Sequence, residues 1–409
     1  MATAAHLAER ARVLHALRSR DFRLLWSGQT VSLVGDSAFL VALGWRAFDL
    51  TGSGAAFGLV LMASSAAMIA TLLIGGALAD RYERRTLMVC SDLIRAAVVA
   101  GLATVEATGH QSLPLLVAFA VGVGLGDGFF QPAFGGIVPL VVEQTHLASA
   151  NSLIGLSRNG SLLVGPAFAG LAYHSAGPAT VFGIDAGSFV VSALLVSLAR
   201  PRAVEPEPSE GMFREIATGF RYVIGIPWLW ATIAIASIVL MIGVAPFQAL
   251  LPKLVEQHYH RGVGAYGLLF TLMGAGMVVG AGIFGQLNPR RSLAVTYALW
   301  AGTDLCRLLI AVMPAYALAA GVSVVRGVLI SFSITMWETM LMERVPENRL
   351  ARVISLDWFG SAGLLPVGYG VAAALSLVAS PMLIITAGAG TSVALWLAAL
   401  ASGRLRVLR

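Results

Sequence analysis

The sequence predicts an all-α membrane protein with twelve transmembrane helices in two pseudo-symmetric six-helix bundles. Three observations carry that expectation. Apolar runs of about twenty residues, the length that spans hydrocarbon, recur a dozen times along the chain. Arginines gather in alternate gaps between those runs, and short motifs of the first half return in the second.

Composition supports the first observation. Of 409 residues, 57% are hydrophobic and 12% charged, more apolar surface than one water-soluble core hides, so lipid must solvate the chain. The 45 glycines suit helices that pack backbone to backbone. The formal charge of +6 sits in short loops rather than on one solvated face, which argues against a nucleic-acid partner. Cys90 and Cys306 lie inside apolar runs and read as small buried hydrophobes, not as a disulfide framework. No cofactor is implied, and His258-x-His260 is too sparse to hold a metal.

In order, the runs cover roughly 24–48, 55–79, 87–106, 113–140, 149–173 and 177–199, then 227–252, 262–287, 293–313, 315–341, 350–377 and 380–402. The first is too long for a signal-peptide core and is expected to remain as a helix. With both termini cytoplasmic, inner loops and tails hold about twenty of the 27 basic residues, and outer loops hold Arg46, Lys253 and Arg261. Residues 1–199 then read as an N-terminal six-helix bundle with a cytoplasmic tail and 227–409 as a C-terminal bundle with its own. Between them, 200–226 reads as a cytoplasmic linker with an amphipathic helix. It starts with the Pro- and Glu-rich stretch from Arg200 to Gly211, which has too little apolar surface to bury. Phe213, Ile216, Phe220 and Val223 follow at helical spacing, a face suited to the inner membrane surface.

The repeat rests on three matches. Leu147-Ala148 with Ser152-Leu153 returns as Leu350-Ala351 with Ser355-Leu356, and Arg84-Arg85-Thr86-Leu87 returns as Arg290-Arg291-Ser292-Leu293. Asp92-Leu93-x-Arg95 returns as Asp304-Leu305-x-Arg307. The offsets of 203, 206 and 212 residues are each about half the chain, as a duplicated bundle requires.

After the second run the chain reads Gly75-Gly76-Ala77-Leu78-Ala79-Asp80-Arg81-Tyr82-Glu83-Arg84-Arg85. A small residue lets helices approach, an acid at a helix boundary meets the positive end of another helix, and the arginines balance it. On Gly76, Leu78, Asp80, Arg81, Arg84 and Arg85 this stretch resembles the Gly-x-Leu-Ala-Asp-Arg-x-x-Arg-Arg signature of the major facilitator superfamily, with Glu83 where the family usually has glycine. The resemblance implies the major facilitator fold and a gating motif that latches the cytoplasmic side closed. Gly165-Pro166-Ala167-Phe168-Ala169-Gly170 resembles the family's antiporter-associated Gly-Pro-x-x-Gly-Gly segment on Gly165, Pro166 and Gly170, departing at Ala169. Asp21-Phe22-Arg23-Leu24-Leu25-Trp26, Leu33-x-Gly35-Asp36, Asp49-Leu50-Thr51-Gly52-Ser53 and Phe129-Phe130-x-Pro132-Ala133 resemble one branch more narrowly. That branch is the drug and proton antiporters, which include macrolide efflux proteins and enterobactin exporters.

A charge in hydrocarbon costs about 2.5 kcal/mol or more, so each one marks a partner or a wet cavity. Asp36 lies midway along the first run, with Gln29 and Ser32 seven and four residues before it on one polar stripe. An acid so placed is suited to take up and release a proton as its surroundings alternate between wet and closed. Asp127 and Gln131 form a similar stripe in the fourth run. The resemblance implies that the first, fourth, seventh and tenth helices line a central cavity. That would bring Phe130, Met241, Trp337 and Glu338 to the proton and substrate pathway, and place Arg326 to hold Asp127 or an anionic part of the cargo. Asp92/Arg95 and Asp304/Arg307 are i, i+3 pairs expected to neutralise each other. Arg158 and Asp357, near the inner ends of the fifth and eleventh runs, are inner-gate candidates by analogy of fold.

With no Gly-x-x-x-x-Gly-Lys-[Ser/Thr] stretch and a single lysine, Lys253, the chain is not expected to use ATP in the P-loop manner. It also lacks the signature motifs of membrane hydrolases. The expectation is a non-enzymatic secondary transporter, a monomer in a bacterial-type inner membrane. It would export small, largely hydrophobic molecules, drug-, macrolide- or siderophore-like, against a flow of protons by alternating access. Nutrient uptake by proton symport is the alternative and would want more polar groups at mid-membrane. A non-transporting sensor or membrane enzyme is a third reading and would need catalytic residues.

Overall fold

The computed structural model describes residues 15–202, 220–284 and 292–402, and among them are twelve long helices and no strand. Local chemistry sets their ends. α1 (Arg20–Thr51) stops at Gly52, whose φ of +63° suits a residue without Cβ and whose N–H closes on the Phe48 carbonyl at 2.7 Å. α2 (Gly54–Arg81) and α3 (Arg84–Ala107) flank the basic loop. α4 (Leu113–Val141) contains Pro132 and Pro139, and α5 (Leu147–Ala176) contains Pro166, which membrane helices tolerate because neighbours re-satisfy the freed carbonyls. α6 (Pro178–Ser197) and α7 (Pro227–Gln257) begin on proline, whose missing N–H is not needed in a first turn. α7 is interrupted by a π-helical turn at Leu240–Val244.

α8 (Val263–Phe284) leads to α9 (Leu293–Val312), where the Ser292 hydroxyl caps the Val295 N–H at 3.3 Å. α10 (Tyr316–Arg344) is followed by α11, in two pieces, Glu347–Ala362 and Leu365–Leu375. α12 (Pro381–Ala401) again opens on proline. Among the described residues, eleven helices are long and apolar enough to cross a membrane. α5 is 30 residues long but more polar, with Asn151, Ser152, Arg158 and Asn159 in its first half. Leu171, Leu194, Leu377 and Val378 are each more than half exposed, the aliphatic surface a bilayer covers.

The helices form two compact units. One comprises Met1–Arg46 with Ala63–Glu207, the other Ala47–Met62 with Pro208–Arg409. Their internal layouts match: α3 packs on α4 and α6, and α9 packs on α10 and α12. Backbones meet at matching crossings. A Cβ at Gly124 of α4 would overlap the Ser64 carbonyl oxygen of α2, and one at Gly327 of α10 would overlap the Met273 carbonyl oxygen of α8. Most of the expected linker, including Phe213 and Ile216, lies outside the described residues, as do Arg290 and Arg291.

Candidate functional site

In the first unit, acids from α1, α3, α4 and α6 converge on one guanidinium. Arg95 of α3 pairs with Asp92 one turn earlier and with Asp127 of α4 at 2.8 Å. Its guanidinium lies 4.3 Å from the centre of the Phe130 ring and 4.4 Å from that of Phe189. Glycine makes the approach possible, since a Cβ at Gly126 would stand 2.5 Å from Arg95 Cγ. The Ser192 hydroxyl of α6 donates to Asp92 Oδ2 at 2.7 Å, and Gln29 Nε2 of α1 donates to Ser192 Oγ at 3.0 Å. Gln29, Ser192, Asp92, Arg95 and Asp127 therefore form one connected polar chain, whose members polarise one another. Asp36 is partly buried and within electrostatic reach of Arg95, Asp127 and Asp92. Ser32 is buried on the same helix.

Sequence reasoning missed Asp185. This α6 acid is 1% exposed; its Oδ1 accepts from the Ser188 hydroxyl at 3.2 Å, and its Oδ2 has no partner among the described residues. It lies against Gly35 of α1, where a Cβ would collide with its Oδ1, and within electrostatic reach of Asp36, Arg95 and Asp127. Its signal was a lone acid in the otherwise apolar run at 177–199.

One expectation needs correction. The cation that holds Asp127 is Arg95, not Arg326, because α3 and α4 approach closely enough at Gly126 for one guanidinium to serve acids on both helices. Arg326 lies in the second unit, its Nη1 3.2 Å from Met273 Sδ and its guanidinium 4.7 Å from the centre of the Phe247 ring. Phe130 is buried against Arg95, whereas Gln131 is exposed.

α5 positions the Asp36 helix through small and hydroxyl residues. Thr30 Oγ1 meets Ser157 Oγ at 2.8 Å, and Ser37 Oγ donates to Ser161 Oγ at 3.1 Å. A Cβ at Gly165 would stand 2.6 Å from Ser37 Cβ, and Pro166 and Gly170 are buried in the same helix. At the basic loop, Arg84 donates to the Gly136 carbonyl at 2.7 Å and Arg85 to the Ala199 carbonyl at 3.0 Å. Glu83 pairs with Arg85 at 3.0 Å, so the residue that departs from the family pattern supplies a local counter-charge. Gly76 has open space around its Cα and Arg81 is exposed; the Asp80 side chain lies outside the described set. Arg46, near the end of α1, is held by Glu106 through contacts of 2.9 and 3.0 Å.

The second unit carries a half-open cavity of about 290 Å³ lined by Trp300, Trp337, Trp396, Asp304, Arg307 and Asp357 among others. The Trp300 ring centre lies 4.7 Å from that of Trp396 and 5.6 Å from that of Trp337, tilted against both. The Trp396 indole donates to Asp304 Oδ2 at 3.0 Å and the Trp337 indole to Asp357 Oδ2 at 2.8 Å, while Arg307 pairs with Asp304. Indole N–H groups tied to carboxylates satisfy each other's polarity and leave ring faces as apolar lining. Trp337 and Asp357 were expected at functional positions; Trp300 and Trp396 were not. Met241 belongs to the π turn, whose Leu240 and Val244 also line the cavity. Glu338 is exposed on α10 and Arg158 on α5.

The Major Facilitator Superfamily model matches residues 25–362. The enterobactin exporter EntS of Salmonella paratyphi A is 27% identical over 341 residues, covering 82% of this chain and 80% of its own. Among solved structures, a bacterial homolog of the human lysosomal transporter Spinster, inward-facing and unoccupied, superposes with a TM-score of 0.70 at 14% identity, over 93% of this chain and 97% of that one. The nucleoside transporter NupG does so at 0.72 and 11% identity, over 93% and 99%. Identities this low speak for the fold alone. A duplicated helical layout, ionisable residues inside apolar helices and a family match over most of the sequence agree: the chain is a multi-pass membrane transporter and belongs to the major facilitator superfamily.

Proposed function

We propose that the chain exports a small, largely hydrophobic molecule by proton antiport and alternating access. One observation carries this reading: Asp36, Asp92, Asp127 and Asp185 gather around the single guanidinium of Arg95 inside the membrane-spanning helices. Hydrocarbon does not hold three excess negative charges, so such a group exchanges protons as its access to water changes. Asp127, its side chain 29% exposed, and the partly buried Asp36 are the members solvent reaches. An aromatic or apolar part of the cargo docks in the tryptophan-lined cavity of the second unit. The export direction, and a siderophore-like or drug-like cargo, follow the relatives named as enterobactin exporters. The basic loop of Arg81, Arg84 and Arg85 serves the cytoplasmic gate, both termini being cytoplasmic in an inner membrane.

The test is efflux of ethidium, erythromycin and enterobactin from cells with and without a proton ionophore, beside Asp36→Asn. Ionophore treatment and the substitution should each reduce efflux to the level of cells lacking the chain. Ionophore-insensitive efflux, or full activity of the variant, overturns the proposal. A symporter would accumulate cargo instead.

A further inference from the structure

Arg95 is already shared by Asp92 and Asp127, so its charge is answered before Asp185 is counted. Asp185 is shut from solvent, and its one side-chain donor, the Ser188 hydroxyl, also bonds the Asp185 carbonyl at 2.8 Å. Its Oδ2 faces no donor among the described residues, and Arg95 Nε is likewise without an acceptor. The charged groups from neighbouring helices are Asp36 of α1, Asp92 and Arg95 of α3, and Asp127 of α4; α5 contributes Arg158 and His174, both exposed. An ionised carboxylate with half a hydrogen bond and three acids around one cation is among the costliest arrangements a membrane interior offers. A carboxylic acid in the same place is neutral and tolerable.

We propose that Asp185 is a second proton-binding site of the transporter, loaded while Arg95 is committed to Asp92 and Asp127. Asp36 follows Gly35, the residue on which Asp185 packs, and is the exit. Asp36 first gives its own proton to water on the open side, and the carboxylate so formed takes the proton leaving Asp185 Oδ2. This assignment rests on the proton-coupled reading for its use, but its loaded state is measurable without transport.

The measurement is infrared spectroscopy of the full chain in an ester-free detergent. The wild type should show the carbonyl stretch of a protonated carboxylic acid, and Asp185→Asn should remove it. Ser188→Ala, which deletes the bond to Oδ1 and touches no charge, should shift the same band and covers the case in which Asp185→Asn does not fold. Transfer to D₂O should shift the wild-type band, several-fold more slowly in Asp36→Asn. The proposal fails if the band is missing, if neither Asp185→Asn nor Ser188→Ala changes it, or if exchange is indifferent to Asp36→Asn. A missing band with ionophore-sensitive efflux sinks this site alone; ionophore-insensitive efflux with the band intact sinks the coupling instead.

Discussion

Replacing Arg95 with methionine keeps most of the stem and deletes the charge. Two carboxylates then lose their cation together: Asp92, whose side chain has no exposure, and Asp127, at 29%. Removing one partner of a buried pair costs about 3–5 kcal/mol. The lost contacts to Phe130 and Phe189 add about 0.5–2 kcal/mol each, and the partly open Asp127 contributes at the low end. A total of about 4–10 kcal/mol corresponds to a fall of roughly 8–40 °C in the unfolding midpoint, at about 2–4 °C per kcal/mol for a body of this size. The assay heats purified protein in detergent and follows the monodisperse fraction by size exclusion. Adding Asp92→Asn and Asp127→Asn to Arg95→Met should recover more than half of the loss, because a neutral cluster has no charge to desolvate. A single variant within about 2 °C of wild type, or a triple variant no better than the single, refutes the electrostatic account.

The remaining predictions address packing, a second ion pair and pH. Gly124→Val and Gly327→Val should each abolish monodisperse protein, since their new side chains meet carbonyl oxygens, while Gly76→Ala, with nothing within 4 Å, should leave yield unchanged. Arg46→Ala and Glu106→Ala should each destabilise by about 3–5 kcal/mol and the double variant by less than the sum, read as a double-mutant cycle on unfolding midpoints. Trp396→Phe retains a ring but leaves Asp304 short of a donor, an expected loss of about 1–3 kcal/mol in the same assay. In the loop between α7 and α8, burial, with Tyr316 adding to it, pushes the Tyr259 phenol from 10.0 up to about 12, and its hydroxyl donates to the Ile310 carbonyl. The folded state holds that proton more tightly than the unfolded one. Its contribution is therefore complete below pH 10 and lost as pH rises through about 12, and Tyr259→Phe should flatten that fall.

Helix positions and the duplicated layout were legible because length and hydropathy alone decide what spans a bilayer. α5 reads as a span over 149–173 and is a helix of 30 residues, but Asn151, Ser152, Arg158 and Asn159 leave it outside the eleven helices apolar enough to cross a membrane. Partnership across helices was not legible. The i, i+3 spacing of Asp92 and Arg95 announces itself, whereas the reach of Arg95 to Asp127 depends on Gly126 letting α3 and α4 close up. Asp185 shares no spacing with Asp36 or Arg95 and joins them through the fold, so its lone charge was the available hint. Trp300 and Trp396 were hidden for a similar reason: an aromatic in an apolar helix looks like packing until its indole is found on a carboxylate. The π turn of α7 leaves no pattern that distinguishes it from ordinary helix.

Where α2 crosses α4 at Gly124, and where α8 crosses α10 at Gly327, no layer of side chains separates the two backbones. Side chains can slip past one another by changing rotamer; carbonyls wedged against Cα atoms have no such freedom. Each crossing acts as a weld, and whatever deformation a transport cycle demands must be absorbed elsewhere in the protein.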